Sequence, residues 1–159
     1  MFALLSLIIS FSFAKNHGNG IIINIDKYEK KEASWHYKPD VIVCNDSPYT
    51  VMTVKKAVSV WKREGVSVGE VYKETSKNKC YSKGKENYIQ IMGYRKNYNK
   101  NHYYAKTWDW SHKKSKSLYS VDIEFAPDIS NSNLKLLVHE LGHSFGYKHA
   151  NIKNDIMVE

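Results

Sequence analysis

The stretch that decides the fold of this chain is HELGHSFGYKH, at residues 139–149. His139 and His143 stand four residues apart, so on a helix their imidazoles project from one face and can hold one metal ion. Gly146 suits the end of that helix, because a left-handed glycine lets the chain reverse and can return His149 to the metal. Three imidazoles leave a fourth position open for water, as in catalytic rather than structural zinc sites.

Glu140 directly follows the first of these histidines, so its carboxylate can reach a metal-bound water without ligating the metal. Zinc lowers the pKa of its water to about 7 and polarises a carbonyl group. Glu140 would take the proton as the oxygen attacks, and would then give it to the leaving amine. One histidine alone would be interpreted as a core or surface residue, but the complete pattern makes coincidence a poor explanation.

The pattern H-E-x-x-H-x-x-G-x-x-H followed by a methionine resembles the signature of the metzincin zinc endopeptidases. Met157 lies eight residues after His149, which is similar to the compact spacing of the matrixin branch. The resemblance implies three zinc ligands, His139, His143 and His149. It also implies that Glu140 is the catalytic base and that Met157 is a structural residue, a hydrophobic floor beneath the imidazoles.

Three departures from the family pattern leave the subfamily open. Ala150 follows the third histidine, where matrixins usually carry serine, and Glu159 stands where some branches carry a zinc-binding tyrosine. No tyrosine ligand is therefore assigned. The larger relatives also continue beyond the methionine with a segment that walls the specificity pocket, so their substrate preference is not carried over. Calcium is common in matrixin relatives, yet no clustered Asp/Asn/Gly loop indicates calcium here.

The N-terminus predicts export. Residues 1–14 carry no charged side chain, and their apolar run ends with small residues at the two positions that a signal peptidase reads. We expect a signal peptide at residues 1–14, a single domain at residues 15–159 and a secreted or extracytoplasmic location. An uncleaved anchor and a start assigned too far downstream are the alternatives. No other apolar run approaches the roughly 20 residues that cross a bilayer, so no membrane span is expected.

Cys44 and Cys80 are the only cysteines. In an oxidising compartment an even pair favours a disulfide bond. The alternative is a thiolate that caps the zinc in a latent form, as a propeptide cysteine does in matrixins, but the chain shows no such propeptide motif. The two cysteines are therefore predicted to pair.

The remaining patterns predict an α+β fold with a mixed β-sheet. Apolar residues recur at helical spacing from about Val51 to Glu64, which predicts an amphipathic helix with Trp61 in the core. Ser130, Asn131 and Ser132 are cap candidates for the zinc-binding helix. Strands are predicted at residues 20–25, 41–44, 66–72, 88–93 and 120–125. This order suits an N-terminal and a C-terminal helix packed on one twisted sheet.

Residues 93–116 are rich in aromatic side chains and lysines, and the chain has a net charge of +8. Such a surface could bind nucleic acid, with aromatics on bases and lysines on phosphates. Only two arginines occur, however, and arginine is the preferred residue for bidentate phosphate contacts. A loop beside the active-site cleft, or a plain solvated loop, is favoured over a nucleic-acid surface.

The function that we expect is a monomeric, secreted zinc endopeptidase acting on protein or peptide substrates. The strand at Ser120–Phe125, or one beside it, would hold the substrate as an extra strand. One alternative is a zinc amidase that hydrolyses cell-wall or other non-protein amides. The anionic surface of a cell wall would attract a basic enzyme. The other is a binding module without turnover, against which the intact Glu140 argues.

Overall fold

The computed structural model describes residues 15–74, 76, 80, 86–94 and 103–159. The signal peptide predicted at residues 1–14 and part of the aromatic segment, residues 95–102, lie outside the described residues.

Two β-sheets are present in the described part of the chain. The smaller is an antiparallel pair of β1 (Lys15–Asn16) and β2 (Ile22–Ile23). The larger contains β3 (Ser34–Trp35), β4 (Asp40–Val43), β5 (Val71–Lys73), β6 (Tyr88–Gly93), β7 (Ala105–Ser111) and β8 (Ser117–Phe125). Its order is β3-β8-β6-β4-β5 with parallel neighbours, and β7 pairs antiparallel with β8. The prediction of a mixed sheet is confirmed.

Within the described ranges, the helices α1 (Val51–Arg63) and α2 (Leu134–Ser144) accompany the sheet. Thr50 caps α1 by accepting a hydrogen bond from the Thr53 amide, as expected of a side-chain oxygen at a helix start. Asn133, one residue after the predicted candidates, caps α2 in the same way. Asn131 instead accepts hydrogen bonds from Thr50 and Thr53, and so ties the starts of the two helices together. None of the helices in the described ranges is long and apolar enough to span a membrane.

The sheet buries two faces, because successive side chains of a strand alternate in direction. One face packs against both helices and carries the main core, including Val41, Ile89, Ile91, Val121 and Ile123. Ile42 and Met92 point the other way and form a smaller cluster with the disulfide between Cys44 and Cys80. The predicted disulfide is confirmed, and it leaves neither cysteine free to cap a metal.

Two strand predictions and one loop prediction need correction. The apolar run at residues 20–25 contributes only two strand residues, because Gly18, Asn19 and Gly20 adopt positive φ and a 3-10 helix (Ile25–Lys27) begins at its last residue. The strand predicted at residues 66–72 begins only at Val71. Within the predicted loop, residues 105–111 form β7, an edge strand in which no residue is fully buried and whose sequence gave no clear apolar alternation.

Candidate metal centre

Three imidazole nitrogens converge at the C-terminal end of α2. His139 and His143 lie one turn apart on the helix, and Gly146, with φ +90°, turns the chain back so that His149 joins them. The Nε2 atom of His143 lies 3.1 Å from that of His139 and 3.0 Å from that of His149, and the remaining pair is 3.2 Å apart. Within the described ranges this is the only group of histidine, cysteine or acidic side chains close enough to hold a metal.

Backbone carbonyls fix the orientation of two of the rings. The Nδ1 atom of His139 lies 2.7 Å from the carbonyl oxygen of Ile156, and that of His143 lies 2.9 Å from that of Tyr147. Because a carbonyl only accepts, each Nδ1 carries the proton and each Nε2 turns its lone pair toward the centre. Burial, with smaller contributions from the neighbouring histidines, lowers the pKa of His143 to about 4. His143 is therefore neutral at pH 7, as a metal ligand must be.

The spacing of the three nitrogens fits a metal ion. Zinc binds imidazole nitrogen at about 2.0–2.1 Å in tetrahedral geometry, which places neighbouring ligand nitrogens about 3.3 Å apart. The observed separations of 3.0–3.2 Å are close to that value. Imidazole also suits copper, iron and nickel, so the arrangement identifies a site for a metal ion rather than one particular metal.

Glu140 lies beside the histidines, and a residue that sequence reasoning missed fixes its orientation. The Oγ1 atom of Thr107 on β7 donates a hydrogen bond of 2.6 Å to Oε2 of Glu140. The glutamate is largely buried, with 8% of its surface exposed. The edge strand and the helix thus meet at this carboxylate. No sequence signal marked Thr107, because the contact joins residues that lie 33 positions apart.

Helix α2, which carries His139 and His143, packs closely on Met157 and Trp61, which are both fully buried. Gly142, between the two histidines of α2, makes this approach possible. A Cβ atom at position 142 would collide with Sδ of Met157 and would lie 2.7 Å from Cζ2 of Trp61. The glycine is therefore required by the packing of α2 against Met157 and Trp61.

A buried carboxylate holds the turn that contains Met157. Asp155, which is 3% exposed, accepts hydrogen bonds from the Tyr28 hydroxyl at 2.5 Å, from Asn24 Nδ2 at 2.6 Å and from the Met157 amide at 2.8 Å. Burial, followed by the bond to Asp155, raises the pKa of Tyr28, so its hydroxyl keeps the proton that it donates. Asn154, the residue before Asp155, adopts φ +64°, a left-handed conformation that asparagine tolerates in turns.

This turn connects the N-terminal segment to a histidine ring. The Ile156 amide donates to the Ile22 carbonyl oxygen of β2 at 2.8 Å, while the Ile156 carbonyl faces Nδ1 of His139. Asp155 and β2 therefore position Ile156, and through it the His139 imidazole.

Replacing Asp155 with asparagine is expected to weaken zinc binding about 10- to 100-fold, as loss of a group that orients a metal ligand typically does. The NH2 group of asparagine would replace one of the two oxygens and would face a donor in either orientation: Asn24 Nδ2 in one, or the Tyr28 hydroxyl and the Met157 amide in the other. Competition with a chelating fluorophore measures the affinity. Asp128→Asn, at an exposed acid outside this network, is the matched control. Equal zinc affinity for Asp155→Asn and wild type would show that the turn does not position His139.

Neither protein-family models nor curated proteins show a match to this chain, so the three-histidine group and its surroundings are the observations on which a functional proposal rests.

Proposed function

We propose that this protein is a secreted zinc-dependent endopeptidase that resembles the metzincins. The observation that carries the proposal is the convergence of three imidazole Nε2 atoms within 3.2 Å of one another, with the carboxylate of Glu140 on the same helix. The disulfide between Cys44 and Cys80 is compatible with an extracytoplasmic location.

His139, His143 and His149 would hold the zinc ion, which supplies Lewis acidity to a substrate carbonyl and to water. Glu140 is the base in this proposal. Thr107 donates to Oε2 and so holds the carboxylate in one orientation, and Oε1 takes the proton from water and returns it to the leaving amine. The apolar packing around Trp61 and Met157 keeps the helix that carries these groups rigid.

The edge strand β7 suggests where an extended substrate lies. Of the two expected positions, Ser120–Phe125 or a strand beside it, we favour the second, because β8 is already paired on both sides, with β6 and with β7. Among the described residues β7 pairs with β8 alone, and its Thr107 touches Glu140. A peptide added alongside β7 would bring its backbone to the proposed base.

Removal of the metal tests this proposal. The oxidised protein, loaded with zinc, is expected to cleave unfolded casein, to lose all cleavage with 1,10-phenanthroline, and to regain it when zinc is restored. Fragments are identified by mass spectrometry, which also reports the bonds that are cut. Addition of magnesium instead of zinc is the control and should not restore activity, because these three imidazoles suit zinc better than a hard cation that prefers oxygen ligands. Cleavage that survives complete chelation would contradict the proposal.

The net charge of +8 favours one second candidate, an amidase on an anionic cell-wall polymer. Wall material incubated with the same zinc-loaded sample distinguishes the two activities. Release of amino groups from wall material, without cleavage of casein, would favour the amidase. Zinc binding at one equivalent with neither activity would favour a binding module.

A further inference from the structure

We propose that Lys135 makes the pocket beside His139 and Glu140 select an acidic side chain next to the scissile bond. This inference rests on the proposed endopeptidase function and names the class of substrate residue that the site prefers.

The pocket lies directly against the reacting groups. It has a volume of about 460 Å³, and its lining includes His139 and Glu140. Leu136 and Ile156 contribute apolar surface to it. A substrate whose scissile carbonyl lies between the histidines and Glu140 would place a neighbouring side chain in this space.

Lys135 supplies a positive charge to the pocket. Its Nζ atom lies against Gly20, where an added Cβ would come within 3.0 Å of it. Lys135 is exposed, and it forms no ion pair with any residue in the ranges that the structure describes. The two carboxylates of the lining have other hydrogen-bond partners: Asp155 accepts from Tyr28 and Asn24, and Glu140 accepts from Thr107.

The position of Lys135 on α2 adds to the positive field. It lies in the first turn of the helix, where the backbone dipole already presents its positive end and where no acidic residue is present. An anionic side chain in the pocket would lie near the Lys135 ammonium group and the positive end of the α2 dipole. The apolar residues of the lining exclude water and so reduce the screening of these charges. A carboxylate of aspartate or glutamate fits this chemistry.

Four proteins and one series of peptides test the inference. The proteins are wild type, Lys135→Gln, Lys135→Glu and the control Lys56→Gln, which removes an exposed helical lysine outside the pocket. The peptides are identical except for glutamate, glutamine or lysine on either side of the cleaved bond. Wild type is expected to prefer glutamate over glutamine about 3- to 10-fold in kcat/KM. Lys135→Gln loses this preference, Lys135→Glu prefers lysine, and Lys56→Gln behaves as wild type.

A binding measurement on the metal-free protein keeps the inference separate from catalysis. The glutamate peptide should shift the NMR signals of the Leu136, Ile156 and Val158 amides at lower concentration than the glutamine peptide does, in wild type but not in Lys135→Gln. Cleavage without a preference for glutamate would overturn the inference and leave the endopeptidase intact. Failure to cleave any peptide would overturn the proposed function, and the NMR titration alone would then decide whether the pocket takes an acidic side chain.

Discussion

Replacing Glu140 with glutamine is expected to lower kcat about 10²- to 10⁴-fold, which is the usual contribution of a general base. Glutamine has the same size, and its carbonyl oxygen can still accept the hydrogen bond from Thr107 that the structure shows at 2.6 Å. It cannot take a proton from water. Initial rates of peptide cleavage measure the effect, and zinc stoichiometry should remain at wild-type level because Glu140 is not among the three converging nitrogen ligands.

The matched control is Glu70→Gln, which changes an exposed glutamate in the same way outside the metal centre. It should leave kcat unchanged. If Glu140→Gln retained wild-type kcat with zinc bound, Glu140 would not be the base, and the proposed mechanism would be wrong.

The largest expected loss of stability comes from Trp61→Ala, which should lower the free energy of unfolding by about 3–5 kcal/mol. Trp61 is fully buried, and its indole Nε1 donates to the Val138 carbonyl oxygen at 2.9 Å. Its ring also stacks on Tyr147, with centroids 5.3 Å apart. Truncation leaves a cavity between α1 and α2 and removes these contacts. Urea unfolding of the metal-free protein, followed by circular dichroism, measures the loss.

Trp108→Ala provides a control of the same chemistry, because Trp108 on β7 is 43% exposed. Exposed substitutions usually change stability by no more than about 0.5 kcal/mol. Equal unfolding midpoints for Trp61→Ala and wild type would mean that the packing of α1 on α2 does not stabilise the domain.

Local sequence patterns were sufficient to predict α1 and α2 and the grouping of the three histidines. The bounds of α1 follow from apolar residues at helical spacing with Gly65 beyond them, and Gly65 adopts φ +86°. His139, His143 and His149 lie within eleven residues, so helix geometry and one glycine turn determine how they meet.

The hydrogen bonds that support the metal centre could not be predicted in the same way. Thr107 reaches Glu140, and Tyr28 reaches Asp155, only because distant segments pack together. β7 was missed for a related reason. It is an edge strand whose only partner among the described residues is β8, so its residues did not need the apolar alternation that reveals a half-buried strand.

The bonds from Asp155 to Asn24 and Tyr28 join residues 131 and 127 positions apart in sequence. Contacts of such separation form late, because closing a long loop costs chain entropy before any contact is gained. We therefore expect the metal ion to bind near the end of folding. The three histidines are close in sequence, yet the His139 ring obtains its fixed geometry only when the first and last segments of the described domain have assembled.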